Sequence, residues 1–519
     1  MEQISSIATN KQPNKTYKIT FGKIARAAAA ELRVHKKLAI IAYVLYGVSF
    51  LLFVFNTEIY EYMDGERVSF NPSGWGVAFA VFGVLLTTFD VLNVFRDTGN
   101  QQLCDVGMAL PIKASERFFS KLLCLVYIQT APYIIAVLGG NGIASLIGII
   151  RFGRLPDETA DFIFTIFFIG LASSLFVIAI TTLCACCCGA LAEASYFSFI
   201  MMFIINGFPM AFLMNILNRS SGFTDSYFWL FGGGNNMNLD LGYWGFLFFL
   251  EMEYDYVIPH AAIGSAISIA VTLLSGLIYI KRDARSVGTP ISSKLFFEIM
   301  MAGACATVFS LTFMNSDVLW GVLIAIVAYI IINIIVSRAK INGLLFLKWI
   351  GKFALTLAVF AGIVIGCIKT GGFGAYRLRP YEAALEGASF KINVSRYDGG
   401  YRRVNLRTGN LTAEQADEVM KVCKKYIQKG LREVNPFSII FGLYNTARIN
   451  INADSDVMFY NAPTPEFMFS YRYYTGVNSA AREGYYLDYY QEVRISPKVA
   501  DEFVNELRKL DVIIEPIDD

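Results

Sequence analysis

Residues 95–122 read FRDTGNQQLCDVGMALPIKASERFFSKL, a polar stretch between two long apolar runs. It holds four basic residues, Arg96, Lys113, Arg117 and Lys121, and is too polar to lie in hydrocarbon. It therefore predicts an aqueous hinge on one side of a membrane. The charge distribution along the chain puts that side in the cytoplasm.

Composition sets the class. The 519 residues are 55% hydrophobic and 17% charged, with a mean hydropathy of +0.49. A soluble domain carries about a quarter charged residues, so these values predict a polytopic α-helical membrane protein. The formal net charge of +2, without a stripe of lysine and arginine, sets nucleic acid aside as a partner. Crossing about 30 Å of hydrocarbon takes about 20 apolar residues. Such stretches fall at 38–55, 75–94, 122–138, 162–184, 196–217 and 257–280, then at 296–313, 318–336 and 349–367. The expectation is about nine transmembrane helices: a six-helix core over 38–280 and three more helices over 281–370. The third stretch is ambiguous. Gly139, Gly140, Asn141 and Gly142 interrupt an apolar tract that resumes to Ile150, so it reads as one long broken helix or as a span with an interfacial piece.

Lysine and arginine collect on the cytoplasmic side of membrane proteins. With the N-terminus inside, 20 basic residues fall in the inner segments and four (Arg67, Arg151, Arg154 and Arg219) in the outer loops. The outer loops are acidic, with Glu58, Glu61, Asp64 and Glu66 in one and Glu251, Glu253 and Asp255 in another. Nine spans from an inner start place the C-terminal region outside.

Residues 1–17 are polar, lack an apolar signal core, and read as a tail without a cleavable signal peptide. The next stretch, TYKITFGKIARAAAAELRVHKK, spaces Phe21, Ile24, Ala28 and Leu32 as a helical stripe with lysines around it. It predicts an amphipathic helix lying on membrane lipid at the inner interface, or a plain extension of the first span. His35, beside Lys36 and Lys37, reads as a surface group.

Within the second span, Asp90 and Asn93 stand one turn apart. A charge facing lipid costs at least a few kcal/mol. The pair is therefore a possible intramembrane polar site toward a pathway or partner helix, or a local hydrogen-bonding device that fixes packing. Cys184, Cys186, Cys187 and Cys188 invite a metal reading, but four thiols on so short a segment are poorly spaced for a tetrahedral site, and His35 and His260 are remote. The following Gly189 and Ala190 suit close helix approach instead. The segment 218–256 is rich in glycine and aromatics and reads as an outer-interface belt. His260 alone supports no proton relay.

From residue 371 the composition becomes that of a soluble domain, with 19 basic and 20 acidic residues to the end. Strands are expected at 389–395, 446–453 and 466–474. Helices are expected at 412–429, behind a capping-box TAEQ, and at 497–510. About 150 residues suffice for one α+β domain. It contains no histidine, its single Cys423 has no partner there, and its tyrosines at 471, 473, 474, 485, 486, 489 and 490 suit strands, a ligand or an interface. No GxxxxGK[ST] sequence occurs anywhere, so the chain is not expected to cradle ATP phosphates or to be an enzyme itself.

QLCDVGMALPIKASERFFSKLL, residues 102–123, resembles the cytoplasmic segment between the second and third spans of type-2 ABC transporter permeases. There a short helix, a Leu-Pro-Ile turn (here Leu110, Pro111, Ile112) and a charged helix start ending in Ser-Lys-Leu (here Ser120, Lys121, Leu122) recur. YIKRDARSVGTP, residues 279–290, looks like the segment after the sixth span in an extended Gram-positive bacterial group with extra spans and an extracytoplasmic domain. The likeness covers roughly residues 15–290.

The resemblance implies that 103–121 forms a coupling helix and its flanks, docked on a separate ABC ATPase subunit that holds ATP and magnesium. Leu103, Val106, Leu110 and Ile112, with Pro111 at the turn, would fill its groove. Arg117 and Lys121 would meet acidic residues at its edge or lipid phosphate. It further implies a homodimer or a heterodimer with a second permease in a bacterial plasma membrane, acting as an exporter or antimicrobial-resistance system. The three added helices and the 150 outer residues depart from a minimal permease. A membrane sensor of an outer peptide or drug and an ion-driven secondary transporter compete with this reading. The domain from 371 reads as a ligand-sensing or gating cap, or as a structural one.

Overall fold

The computed structural model describes residues 21–56, 58–61, 68–71, 75–109, 112–153, 159–212, 216, 254–282, 287–289, 291–313, 318–337, 343–370, 389–397, 401–433, 435, 447–459 and 485–514. The membrane region begins with helices α1 (Phe21–Val34) and α2 (Lys36–Asn56). A hairpin of β1 (Glu58–Glu61) and β2 (Val68–Asn71) follows, then α3 (Trp75–Val94), α4 (Gln101–Ala109) and α5 (Ala114–Phe152). Next come α6 (Thr159–Cys187), α7 (Leu191–Ala211), α8 (Tyr254–Lys281), α9 (Lys294–Phe313), α10 (Val318–Ser337) and α11 (Gly343–Thr370).

Each of the nine apolar stretches falls on one of these helices, although the fifth runs to 217 and α7 is described to Ala211. Among the described residues five segments have the length and apolarity to cross a membrane: Ala114–Gly139, Gly264–Lys281, Lys294–Thr312, Leu319–Val336 and Gly343–Thr370. Gly83–Val94, Leu171–Cys187 and Leu191–Ile205 are shorter apolar segments.

The ambiguous third stretch is a single helix of 39 residues, unbroken at the glycine cluster. Each glycine costs a helix about 1 kcal/mol. That cost does not end the helix, which runs on to Phe152. It stops at Gly153, whose φ of 72° no branched side chain adopts comfortably and whose N–H caps Ile149 O at 2.8 Å. The β1–β2 hairpin escaped the sequence reading because four-residue strands carry too little alternation to register.

α1 does not lay its whole stripe on lipid. It packs along α5, burying Ala28 and seating Leu32 on the cluster of Ala42, Cys124 and Ile128, while Phe21 stays exposed. The bundle core joins Phe95, Phe118, Phe176, Phe197, Phe309 and Phe353.

The C-terminal region has its own core. β3 (Ser389–Tyr397), β4 (Tyr401–Thr408), β5 (Ala447–Phe459), β6 (Tyr485–Ile495) and β7 (Ile513–Ile514) form an antiparallel sheet in the order β6-β5-β3-β4-β7. Alternate residues Phe390, Ile392 and Val394 of β3 are buried, and helices α12 (Ala413–Glu433) and α13 (Pro497–Leu507) supply Val419, Ile427 and Phe503 to the same core. The TAEQ motif forms its capping box: the Thr412 N–H donates to Gln415 Oε1 at 3.0 Å, and the Gln415 N–H donates back to Thr412 Oγ1 at 3.4 Å. Cys423 is buried in this core, and burial pushes its thiol up to about 12.

The helix expected at 497–510 ends three residues earlier, at Leu507, where the chain turns toward β7. β4 and β6 went unread because arginines and tyrosines mask their alternation. The strand expected at 466–474, the tyrosines at 471, 473 and 474, and most of the aromatic segment 218–256 lie outside the described residues.

α12 rests directly on the sheet at Gly430, where a Cβ would stand 2.5 Å from Ile495 Cβ. Gly430→Ala gains about 1 kcal/mol of helix propensity. Overpacking against a β-carbon costs about 1–3 kcal/mol. The expected result is net destabilisation of this region, read as faster amide exchange over α12 and β6.

Candidate functional site

The hinge is built by local hydrogen bonding. After Val94 a single turn at Arg96–Thr98 is closed by the Thr98 N–H on Phe95 O at 2.9 Å. Asn100 then caps α4, its Oδ1 accepting from the Leu103 N–H at 3.3 Å. Gly99 lies against the start of α7, where a Cβ would come 2.9 Å from Leu191 N. The chain re-enters at α5, where Glu116 Oε2 accepts from the Lys113 N–H at 3.4 Å. The result is a nine-residue helix held outside the bundle between α3 and α5.

α4 has two faces. Gln102, Asp105, Val106 and Ala109 are exposed at helical spacing, Val106 to 62%. Leu103, Cys104 and Gly107 are half-buried. The inner side is tight: a Cβ on Gly107 would meet Arg117 Nη1 at 2.7 Å. Ile112 is half-buried, and Leu110 and Pro111 lie outside the described residues.

Beneath α4 is a charged seat. Lys121 is 6% exposed, forms an ion pair with Asp97 Oδ1 at 2.6 Å and donates to Val94 O at 3.1 Å. The Tyr279 hydroxyl, from α8, donates to Asp97 Oδ2 at 3.0 Å. The Arg117 guanidinium stands 5.8 Å from the Tyr279 ring centroid. Phe95, Phe118 and Tyr279 pack on one another with centroids 5.6 to 6.0 Å apart. Phe118 fits because α8 carries Gly276, where a Cβ would lie 2.9 Å from the ring.

Two of the residues assigned to an outside partner are thus engaged within the chain. Lys121 is a correction to the sequence reading: its position one turn beyond Arg117 turns it inward onto Asp97, where no external acid or phosphate reaches it. Arg117 is half-buried against Tyr279 and Gly107.

The seat extends to the end of α6. Arg282 donates through Nη2 to Thr98 O at 2.6 Å and through Nη1 to Ala185 O at 2.9 Å. The Ser292 hydroxyl and N–H both reach Cys187 O, at 2.8 and 2.9 Å, and the Gly288 N–H reaches Gly189 O at 2.6 Å. These contacts satisfy the carbonyls that a helix end leaves open. Cys184, Cys186, Cys187 and Cys188 are buried there as packing residues. Among the described residues no group of three or more His, Cys, Asp or Glu side chains is placed to hold a metal. Three stretches singled out in the sequence, the hinge, the cysteine run and the segment after the sixth span, therefore meet in one place.

No protein-family model, curated protein or solved structure matches the chain.

Asp97, Tyr279, Arg282 and Ser292 were missed as site residues. One signal was available for Asp97: it is an acid within a hinge that holds four cations. Tyr279 and Arg282 lie one turn apart at the end of a span. Nothing in their spacing names Asp97 or Thr98 as partners. Asp283 and Arg285 of the same segment lie outside the described residues.

His35 is the second correction. It sits at the α1–α2 corner, 9% exposed and 3.8 Å from Glu31, because α1 folds back along α5 and encloses it. Burial first, then the nearby Arg96 and Lys121, push the His35 imidazole below the ordinary histidine range. Burial raises Glu31, with Lys121 pulling the other way.

Asp90 and Asn93 are not brought together. Asn93 donates to the backbone of its own helix, at Phe89 O, 2.8 Å away. Asp90 is fully buried and accepts from Gln129 Nε2 of α5. Gln129 Oε1 in turn accepts from Tyr46 of α2 at 3.0 Å and Thr87 of α3 at 3.1 Å. This cluster ties three helices together. His260 lies on α8 with its side chain outside the described residues.

Proposed function

We propose that the chain is the permease subunit of an ATP-driven transporter of the type-2 ABC kind, with α4 as the element that a separate ATPase grips. The observation that carries this reading is a short helix, apolar at the exposed Val106, braced from beneath by the Asp97–Lys121 pair and by Arg282 to the ends of α3, α5, α6 and α8. A flexible loop would absorb a push. A braced helix passes it to four membrane helices at once.

The outward face of α4 meets the ATPase, with Ile112 and the Leu110-Pro111 turn at its edge. Arg117 and Lys121 hold the seat and do not reach the partner. The ATPase supplies ATP, magnesium and hydrolysis. Nine spans with a cytoplasmic N-terminus set the C-terminal region outside, as the excess of basic residues in the inner segments supports. Export, with that region as a cap, completes the reading.

Purification of the full chain from its native membrane is expected to bring down an ATPase with a Walker A sequence. Transport sustained by an ion gradient in vesicles holding this chain alone overturns the proposal. Binding of an outer ligand without transport or an ATPase would favour a sensor.

A further inference from the structure

The sheet of the C-terminal region is electrically polarised along its strands. Its last two rungs at one end read Arg402–Arg396–Ala447–Ile495 and Arg403–Ser395–Arg448–Arg494 across β4, β3, β5 and β6. Five of these eight positions are arginine: Arg403, Arg448 and Arg494 share one face of the sheet, and Arg396 and Arg402 share the other with the buried Ala447 and Ile495. At the opposite end Asp454 stands in register with Ser389 and with Asp488, two rungs beyond the cationic pair Lys391 and Arg407, so the two cations there are offset by two acids while the arginine end carries none in its rungs.

The arginine end is the one joined to the membrane helices. Lys369 Nζ, in the last turn of α11, donates to Arg432 O at 2.8 Å, and two residues back Gly430 lies on Ile495 of the final rung. The arginine positions therefore lie at the level where α11 ends, and the two aspartate positions lie at the far end of the strands. Arg403 and Arg432 are exposed.

We infer that this arginine edge is a seat for the phosphate headgroups of anionic lipid. Arginine suits a phosphate because its planar fork donates two parallel hydrogen bonds. Strands spaced about 4.8 Å apart spread Arg403, Arg448 and Arg494, which share a face, over about 14 Å, enough for more than one headgroup. The short link to α11 holds the edge beside the bilayer, so the effective concentration of headgroups there is high. A soluble polyanion would need no such alignment of the charged end with the membrane attachment. Seated in this way, the region has a set orientation over the bundle. The inference stands apart from the transport reading.

The test uses the full chain in nanodiscs of phosphatidylcholine alone or mixed with phosphatidylglycerol, each lipid carrying a photoactivatable headgroup. Cross-links from phosphatidylglycerol are expected in the peptides holding 396–403 and 494 and should fade with salt. Phosphatidylcholine should label them little. Each arginine near an anionic surface contributes a factor of about five, so Arg403→Gln with Arg494→Gln should lower labelling at least tenfold while cross-links to α1 stay constant. If that double variant unfolds the region, Arg403→Lys against Arg403→Glu decides: the lysine variant should keep most labelling and the glutamate variant lose it. Equal labelling by both lipids, or labelling indifferent to the arginines, overturns the inference. So does protection of the arginines by inorganic polyphosphate in discs where phosphatidylglycerol leaves them unlabelled, which assigns the edge to a soluble anion.

Discussion

Lys121→Met is expected to destabilise the fold by about 3–5 kcal/mol, because it removes the ion-pair partner of the half-enclosed Asp97 carboxylate and leaves it charged beside the Tyr279 hydroxyl. Asp97→Asn alone leaves the Lys121 ammonium buried over Phe95 and should cost a similar amount. The double variant Lys121→Met with Asp97→Asn should lie within about 1–2 kcal/mol of the parent, since no unpaired charge remains and the asparagine still accepts from Tyr279. Thermal unfolding of the four proteins, with amide exchange over α4, measures the cycle. Additive losses would show that the pair is not coupled and that α4 is not braced through it.

Val106→Asp should leave the fold intact and abolish capture of the ATPase. Val106 is 62% exposed, so a carboxylate there is solvated in the free chain. In a complex the same carboxylate loses its hydration, and the apolar contribution of the valine, about 1.5–3 kcal/mol when fully buried, is lost. A combined effect above about 2.7 kcal/mol is a hundredfold loss of affinity. Leu103→Asp, on the half-buried side of α4, should instead lower both stability and capture. Leu110→Asp and Ile112→Asp should weaken capture to a smaller degree. An undiminished pull-down with Val106→Asp would exclude the outward face of α4 as the contact.

The spans were legible because a run of about 20 apolar residues needs no periodicity to be recognised. The soluble helices were legible for a different reason: the Thr412–Gln415 box and the spacing of Val419, Cys423 and Ile427 are local signals. The seat beneath α4 was not legible. Asp97 and Tyr279 are 182 positions apart, Arg282 and Thr98 are 184, and the backbone carbonyls that Arg282 and Ser292 capture have no side-chain signature at all. The role first given to Lys121 failed for the same reason. A cation in a polar loop reads as exposed until a distant acid claims it. The polarity of the outer sheet was equally hidden, since Arg403 and Arg494 become neighbours of one rung only through β3 and β5.

The unbroken α5 has a mechanical consequence. At 1.5 Å per residue its 39 residues make a rod of about 58 Å, roughly twice the thickness of hydrocarbon. It bears Arg117 and Lys121 near its first end and finishes at Gly153 beyond the other. Pro132 falls almost at its midpoint, where the missing N–H leaves the helix ladder one bond short. The rod is thus a lever with a central fulcrum: a tilt of about 5° about that point would displace each tip by roughly 2–3 Å, in opposite directions, on arms of about 29 Å. A movement imposed at α4 would reach the far side of the membrane as its mirror image.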